Sequence, residues 1–164
     1  MIIGVISDSH DRLPALKRAV ETVVSRNVDA ILHPGDFVAP FAAKYLTAPH
    51  VPDHIPVHCI YGNNDGERAG LKKILPQVQD GPYFLEVDGK RIAMHHWIEW
   101  FKDGDLDDAD IVISGHTHEV VNETKDGKLY LNPGECCGWL TGRCTLAILD
   151  TDAMSAEIIE IDGD

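Results

Sequence analysis

The sequence is short of positive charge, of cysteine and of long apolar runs, and each shortage excludes something. Lys and Arg number 14 against 27 Asp and Glu, a net charge of −13 that is spread along the chain rather than gathered in one block. Such a surface repels polyanions outside any cation site, so long nucleic acid is not an expected partner. No stretch approaches the ~20 apolar residues that a bilayer crossing needs, so no membrane contact is expected. The apolar start Met1–Ile6 breaks at Ser7-Asp8 and has no basic flank, and reads as a buried strand rather than a leader. The four cysteines (Cys59, Cys136, Cys137, Cys144) show no CxxC spacing and two are adjacent, which suits neither a disulfide framework nor a zinc knuckle. They read as reduced core residues, and the expected location is cytoplasmic.

What is present fits one compact unit. At 164 residues and 44% hydrophobic content, the chain has a sizeable core and little room for a second domain, so a single domain over 1–164 is expected. The strand Ile2–Ile6 leads into Asp8-Ser9-His10-Asp11 and then into Leu13, Leu16, Val20, Val23 and Val24 at helical spacing. The pattern recurs at Ala30–Leu32 with His33-Pro34-Gly35-Asp36, and at Ile55–Tyr61 with Gly62-Asn63-Asn64-Asp65, each followed by a helical stretch (37–46 and 67–75). Three strand–loop–helix units predict a largely parallel sheet with polar loops at its carboxyl edge. From Tyr83 the texture changes to short strands (83–87, 91–94, 111–114, 120–124, 128–131 and 145–149), with hairpin signals at Asp88-Gly89 and Asp126-Gly127. Two packed sheets with helices outside is the simplest architecture.

Five polar clusters follow these strands: Asp8 with His10, Asp36, Asn63, His95, and His116 with His118. Carboxylate, imidazole and amide oxygen together suit Mn²⁺, Fe²⁺, Co²⁺, Ni²⁺ or Zn²⁺. In an extended segment residues i and i+2 point the same way, so Asp8/His10 and His116/His118 are each expected to aim two ligands into one crevice. Gly35, Gly62 and Gly115 precede ligands, where close backbone approach is useful.

Taken in order and spacing, Asp8-Ser9-His10, Gly35-Asp36, Gly62-Asn63-Asn64-Asp65, His95 and Gly115-His116-Thr117-His118 resemble the motifs of the calcineurin-like metallophosphoesterases. Asn132-Pro133-Gly134-Glu135 resembles the segment after the histidine pair in the small single-domain bacterial and archaeal phosphodiesterases of that family. The resemblance implies an α/β fold, a four-layer α/β/β/α sandwich of two mixed sheets flanked by helices. It also implies two divalent cations, with Mn²⁺ first among the ions named above. One would be held by Asp8, His10, Asp36 and His118, and the other by Asp36, Asn63, His95 and His116, with Asp36 bridging. Catalysis would rest on Asp36, Asn63 and His95, and a metal-bound hydroxide would attack a small phosphodiester.

This sequence departs from the family twice. His96 stands where relatives usually carry glycine, so His95 fits the ligand slot and His96 is expected at the pocket edge. Asn64 stands where many relatives carry a histidine thought to protonate the leaving group, and an amide cannot act as a general acid. His33, His50, His54 and His58 are read as non-ligands. Trp97, Trp100 and Phe101 either cap a substrate ring or serve as core or subunit contacts, and Arg143 is read as a surface residue. The expected activity is thus that of a metal-dependent phosphodiesterase acting on small substrates, an assembly of identical copies being compatible with it. The alternative is a protein-binding scaffold of the retromer-subunit type with little catalysis. A nuclease or protein phosphatase of the same superfamily would need recognition segments for which there is no room.

Overall fold

The computed structural model describes residues 1–164 and contains ten strands in two five-stranded sheets. In the first sheet, β1 (Ile2–Val5), β2 (Ala30–His33) and β3 (Val57–Cys59) run parallel. The second holds β4 (Tyr83–Val87), β5 (Lys90–Met94), β6 (Ile111–Ile113), β7 (Val120–Lys125) and β8 (Lys128–Pro133) in the order β4-β5-β6-β8-β7, with β5, β6 and β8 parallel. The chain then returns to the first sheet, where β9 (Cys144–Asp150) and β10 (Ser155–Ile161) add antiparallel strands beyond β1. The last of these lies outside the elements read from sequence. Both Asp-Gly turns are hairpins with φ positive at each residue (50° and 74°, 52° and 79°), the backbone that matches strand twist.

Strand alternation builds two cores. Ile3, Val5, Ala30, Leu32, Ala147 and Leu149 of the first sheet meet Ile92, Met94, Ile111, Ile113, Leu129 and Leu131 of the second. The first sheet's opposite face, with Ile31, Val57, Leu146 and Ile148, packs under three helices: α1 (Leu13–Ser25), α2 (Pro40–Ala43) and α3 (Arg68–Ile74). At Gly4 an added Cβ would lie 2.2 Å from Val23 Cγ1, so α1 rests directly on β1. The second helix is shorter than the 37–46 pattern suggests. Pro40 forces Ala39 into an extended backbone (φ −108°, ψ 151°), and the chain passes into a 3₁₀ turn at Lys44–Leu46.

The layer outside the second sheet is slight. A 3₁₀ turn at Ile98–Trp100 and the following loop cover Ala93, Ala109 and Val112 with Phe101 and Leu106. The architecture is the expected α/β/β/α sandwich of two mixed sheets. No helix is long and apolar enough to cross a membrane.

Candidate metal centre

Every candidate side chain leaves the carboxyl end of a parallel strand: Asp8 and His10 after β1, Asp36 after β2, Asn63 after β3, His95 and His96 after β5, His116 and His118 after β6. The backbone there is not the extended chain expected from the i, i+2 spacing. Asp8 (φ 50°), His10 (37°), Asp36 (62°), His116 (68°) and His118 (62°) all adopt the left-handed conformation, which costs on the order of 1 kcal/mol or more per residue. The two pairs behave differently: Asp8 and His10 still meet at 3.7 Å, whereas His118 turns to Asp8 and His116 turns to Asn63.

The side chains gather into two adjoining clusters. In one, His10 Nε2 lies 3.7 Å from Asp8 Oδ1 and 3.3 Å from Asp36 Oδ2, and His118 Nε2 lies 3.5 Å from Asp8 Oδ1. In the other, His96 Nε2 lies 3.4 Å from Asp36 Oδ2 and 2.8 Å from Asn63 Oδ1, and His116 Nδ1 lies 2.8 Å from the same amide oxygen. Asp36 belongs to both.

His95 stands outside both clusters, and His96 occupies the position expected for His95. The reason is strand parity: Ile92 and Met94 face the inter-sheet core, so the next residue on that side is His96. His95 points the other way with Ala93, where its ring meets Trp100 and Phe101 edge-on (5.5 and 5.3 Å) and its Nδ1 accepts the His96 N–H. Rather than sitting at a pocket edge, His96 is fully buried, and its Nδ1 donates to Pro34 O at 2.9 Å.

The donors fit divalent cations. His10 Nε2 is buried with no hydrogen-bond partner, although carboxylate oxygens stand 3.3 and 3.7 Å away. That orphaned nitrogen, with buried Asp8 and Asp36 beside it, is what ligand atoms around a shared cation leave when only protein is considered. Asp8, His10 and His118, and likewise Asp8, Asp36 and His96, hold their ligand atoms within 4.8 Å of one another. Burial works against charge on Asp36, but His96 and Asn64 outweigh it and keep the carboxyl ionised well below its usual range. Burial likewise opposes protonation of His10 and His96, yet the neighbouring carboxylates raise both. At His116 burial and the nearby His96 act together and lower it.

Supporting contacts fix these groups. Asn64 donates its backbone N–H to Asp36 Oδ1 and its side-chain amide to Oδ2, each at 2.8 Å. Asp65 accepts the backbone N–H groups of Asp36, Val38 and Gly62 (2.9, 2.8 and 2.7 Å), tying the second loop to the third. An alanine Cβ at Gly62 would stand 2.2 Å from Asp36 Oδ1, and one at Gly115 would stand 2.5 Å from Asp8 Oδ2, which explains why those loops need glycine.

Glu135 is the residue that sequence reasoning left without a role. Fully buried, it accepts from His118 Nδ1 (2.7 Å), Cys137 Sγ (3.0 Å), the backbone N–H of Trp139, Leu140 and Thr141, and the Thr141 hydroxyl. Burial alone would raise its pKa, but these donors hold it at about 2. His118 Nδ1 and Cys137 Sγ both meet the same Glu135 oxygen, while His118 Nε2 faces Asp8, so the three form a hydrogen-bonded support behind the cluster.

The other histidines stay outside. His33 is buried, stacks on Phe37 at 3.8 Å and accepts the Gly35 N–H at Nδ1, and burial lowers it to about 3. His58 meets the Tyr83 hydroxyl, and His50 lies against Tyr45. Arg143 pairs with Glu160 at the surface. Trp97 and Trp100 stand over His116, at 4.6 and 6.2 Å between ring centroids.

Comparison with known proteins agrees with this geometry. A phosphodiesterase of Methanocaldococcus jannaschii is 40% identical over 164 aligned positions, covering 93% of this chain and 94% of that protein. A solved archaeal phosphodiesterase superposes with a TM-score of 0.85 at 37% identity, over 98% of this chain and all of the other. A phosphoesterase from E. coli shares the fold (TM-score 0.72, 20% identity, 99% of this chain and 100% of that one). The calcineurin-like phosphoesterase superfamily domain matches residues 1–154, the span that contains every strand but β10 and every candidate ligand, and the chain belongs to that superfamily.

Proposed function

We propose that this protein is a metal-dependent phosphodiesterase that hydrolyses small phosphodiesters with two divalent cations, Mn²⁺ first among the candidates. The observation that carries the reading is the pair of adjoining clusters sharing the buried Asp36, with the unpartnered Nε2 of His10 between two carboxylates. Asp8, His10, Asp36 and His118 would hold one cation, and Asp36, Asn63, His96 and His116 the other. When bound, such a pair supplies Lewis acidity that makes water nucleophilic near neutral pH and neutralises charge on the phosphoryl oxygens.

The chain's own residues do the positioning. Asp36 offers one carboxylate to both clusters, and Asn64 keeps its plane fixed by bonding both oxygens. Glu135 accepts the His118 Nδ1 proton, which leaves Nε2 as the ligand atom. Asn64 has no proton to give and its amide is committed to Asp36, so no side chain at that position assists the departing oxygen.

The phosphodiesterase at 40% identity over nearly the whole of both chains supports the choice of reaction. The net charge of −13 argues for small substrates over long polyanions, and four free, buried cysteines fit a reducing compartment such as the cytoplasm. A single domain over 1–164 suffices for the reaction. The test is hydrolysis of bis(p-nitrophenyl) phosphate by protein loaded with Mn²⁺ or Ni²⁺, beside Asp36→Ala. Loss of at least roughly a hundredfold is expected, as for disturbed metal ligands. Near wild-type turnover in Asp36→Ala, or no hydrolysis by the parent protein, would overturn the reading, and the second outcome would favour a binding scaffold.

A further inference from the structure

We propose that Trp97 and Trp100 form a subsite for a planar ring, so that the diesters taken by this site carry an aryl group or a nucleobase on one ester arm; this rests on the reading above. The placement comes first. Both residues follow directly from His96, and the 3₁₀ turn at Ile98–Trp100 folds Trp100 back against Trp97, with ring centroids 6.0 Å apart at 67°. Trp97 lies 4.6 Å from the His116 ring, and Trp100 lies 5.8 Å from His96 and 6.2 Å from His116. The indoles thus border the Asp36–Asn63 cluster itself.

Their exposure is the second observation. Trp100 keeps 38% of its surface open and the neighbouring Ile98 36%, beside a polar cluster in which Asp36 and His96 are buried and Asn63 is open to solvent. Large apolar surface left open beside a polar centre marks a ligand contact, because covering it with a ring is favourable and nothing in the chain does so.

Charge supplies the third. The two arginines that flank the site are already committed: Arg12 donates to Cys137 O at 2.7 Å and lies 4.8 Å over the Trp139 ring, and Arg143 pairs with Glu160 at 3.0 Å. Neither offers a free cation to a second phosphate, and the protein as a whole is anionic. Affinity beyond the phosphoryl group must then come from uncharged contact, which a flat π surface gives to any ring. Stacking of this kind is worth roughly 5- to 100-fold in binding.

The experiment compares rings of equal bulk and different flatness. Diphenyl phosphate, dicyclohexyl phosphate and dithymidine monophosphate are tested as competitive inhibitors of bis(p-nitrophenyl) phosphate hydrolysis, and their binding is followed independently by quenching of tryptophan fluorescence. Wild type should prefer diphenyl over dicyclohexyl phosphate by roughly 5- to 100-fold, and the dinucleotide's place in the series tells whether aryl or nucleobase fits better. Trp97→Leu/Trp100→Leu, apolar but not flat, should bring the preference within about twofold, whereas Trp100→Phe should keep most of it. If the double variant does not fold, Trp100→Leu at this open position carries the same test. Equal binding of both esters by wild type, or a preference that survives in the leucine variants, overturns the proposal. Hydrolysis without ring preference defeats the subsite alone, while ring-selective quenching without hydrolysis defeats the catalytic reading alone.

Discussion

Glu135 gives the sharpest test of how the site is held. Replacing it with alanine removes the acceptor for His118 Nδ1, for Cys137 and for three consecutive backbone N–H groups at 139–141. These losses are unequal. Trp139 and Leu140 are 61% and 75% exposed, so water can reach their amides and replace the carboxylate at small cost. His118 and Cys137 are buried, and two stranded buried donors at about 1–3 kcal/mol each give a loss of roughly 2–6 kcal/mol. For a chain of this length that lowers Tm by roughly 4–24 °C. Cation affinity should fall by about 10- to 100-fold, but only in the cluster that contains His118, because Glu135 touches nothing in the Asp36–Asn63–His96–His116 group. Glu135→Gln keeps the shape and one acceptor oxygen, so it should recover most of the stability while still weakening that one cation. The assay is a calorimetric Mn²⁺ titration of metal-free protein alongside thermal melts of both variants. Two cations bound with unchanged affinity in Glu135→Gln would refute the reasoning and reduce Glu135 to a folding element of the loop.

Strand parity predicts that His96→Ala loses far more bound metal than His95→Ala, and metal content by plasma mass spectrometry decides it; a larger loss at His95 would restore the original assignment. With no proton donor at Asn64, the rate should depend steeply on leaving-group pKa, nitrophenyl esters outrunning alkyl esters by several orders of magnitude on the order of 10²–10⁴. A shallow plot of log rate against that pKa would mean another group protonates the departing oxygen. His33, lowered to about 3 by burial, contributes stability that is complete above the ordinary histidine range and is lost as pH falls through the folded value. Its imidazole resonances in NMR should therefore stay neutral and in the Nε2–H form down to about pH 4; titration near pH 6 would disprove the burial.

The fold was legible where the chemistry is local. Apolar strands ending in Asp, Gly and His, and helical spacing from Leu13 onward, located the first three units, and the Asp-Gly turns located two hairpins. The strand at Ser155–Ile161 was missed because its solvent side carries polar residues and only its neighbour β9 defines it. Within the site, Asp8, His10, Asp36, Asn63, His116 and His118 do converge. His95 lies apart from them, as the parity of Ile92 and Met94 dictates, whereas the family pattern had pointed to it. Glu135 was harder, since its partners at 118 and at 139–141 are brought together only by tertiary structure.

The position of β1 in its sheet has a consequence for synthesis. On one flank Ile3 is in register with Ala30, but on the other it is in register with Leu149. While the chain is being made, the first unit can form β1, β2 and α1 early, yet the second flank of β1 stays open until β9 has emerged, more than a hundred residues later. An apolar strand with an open edge invites pairing with other nascent chains, and its native partner arrives only through a long-range contact of the slow-forming kind. The loops of the site follow the same timetable: Asp8, His10 and Asp36 are made long before His96, His116 and His118, so both clusters wait for β6 as the first sheet waits for β9.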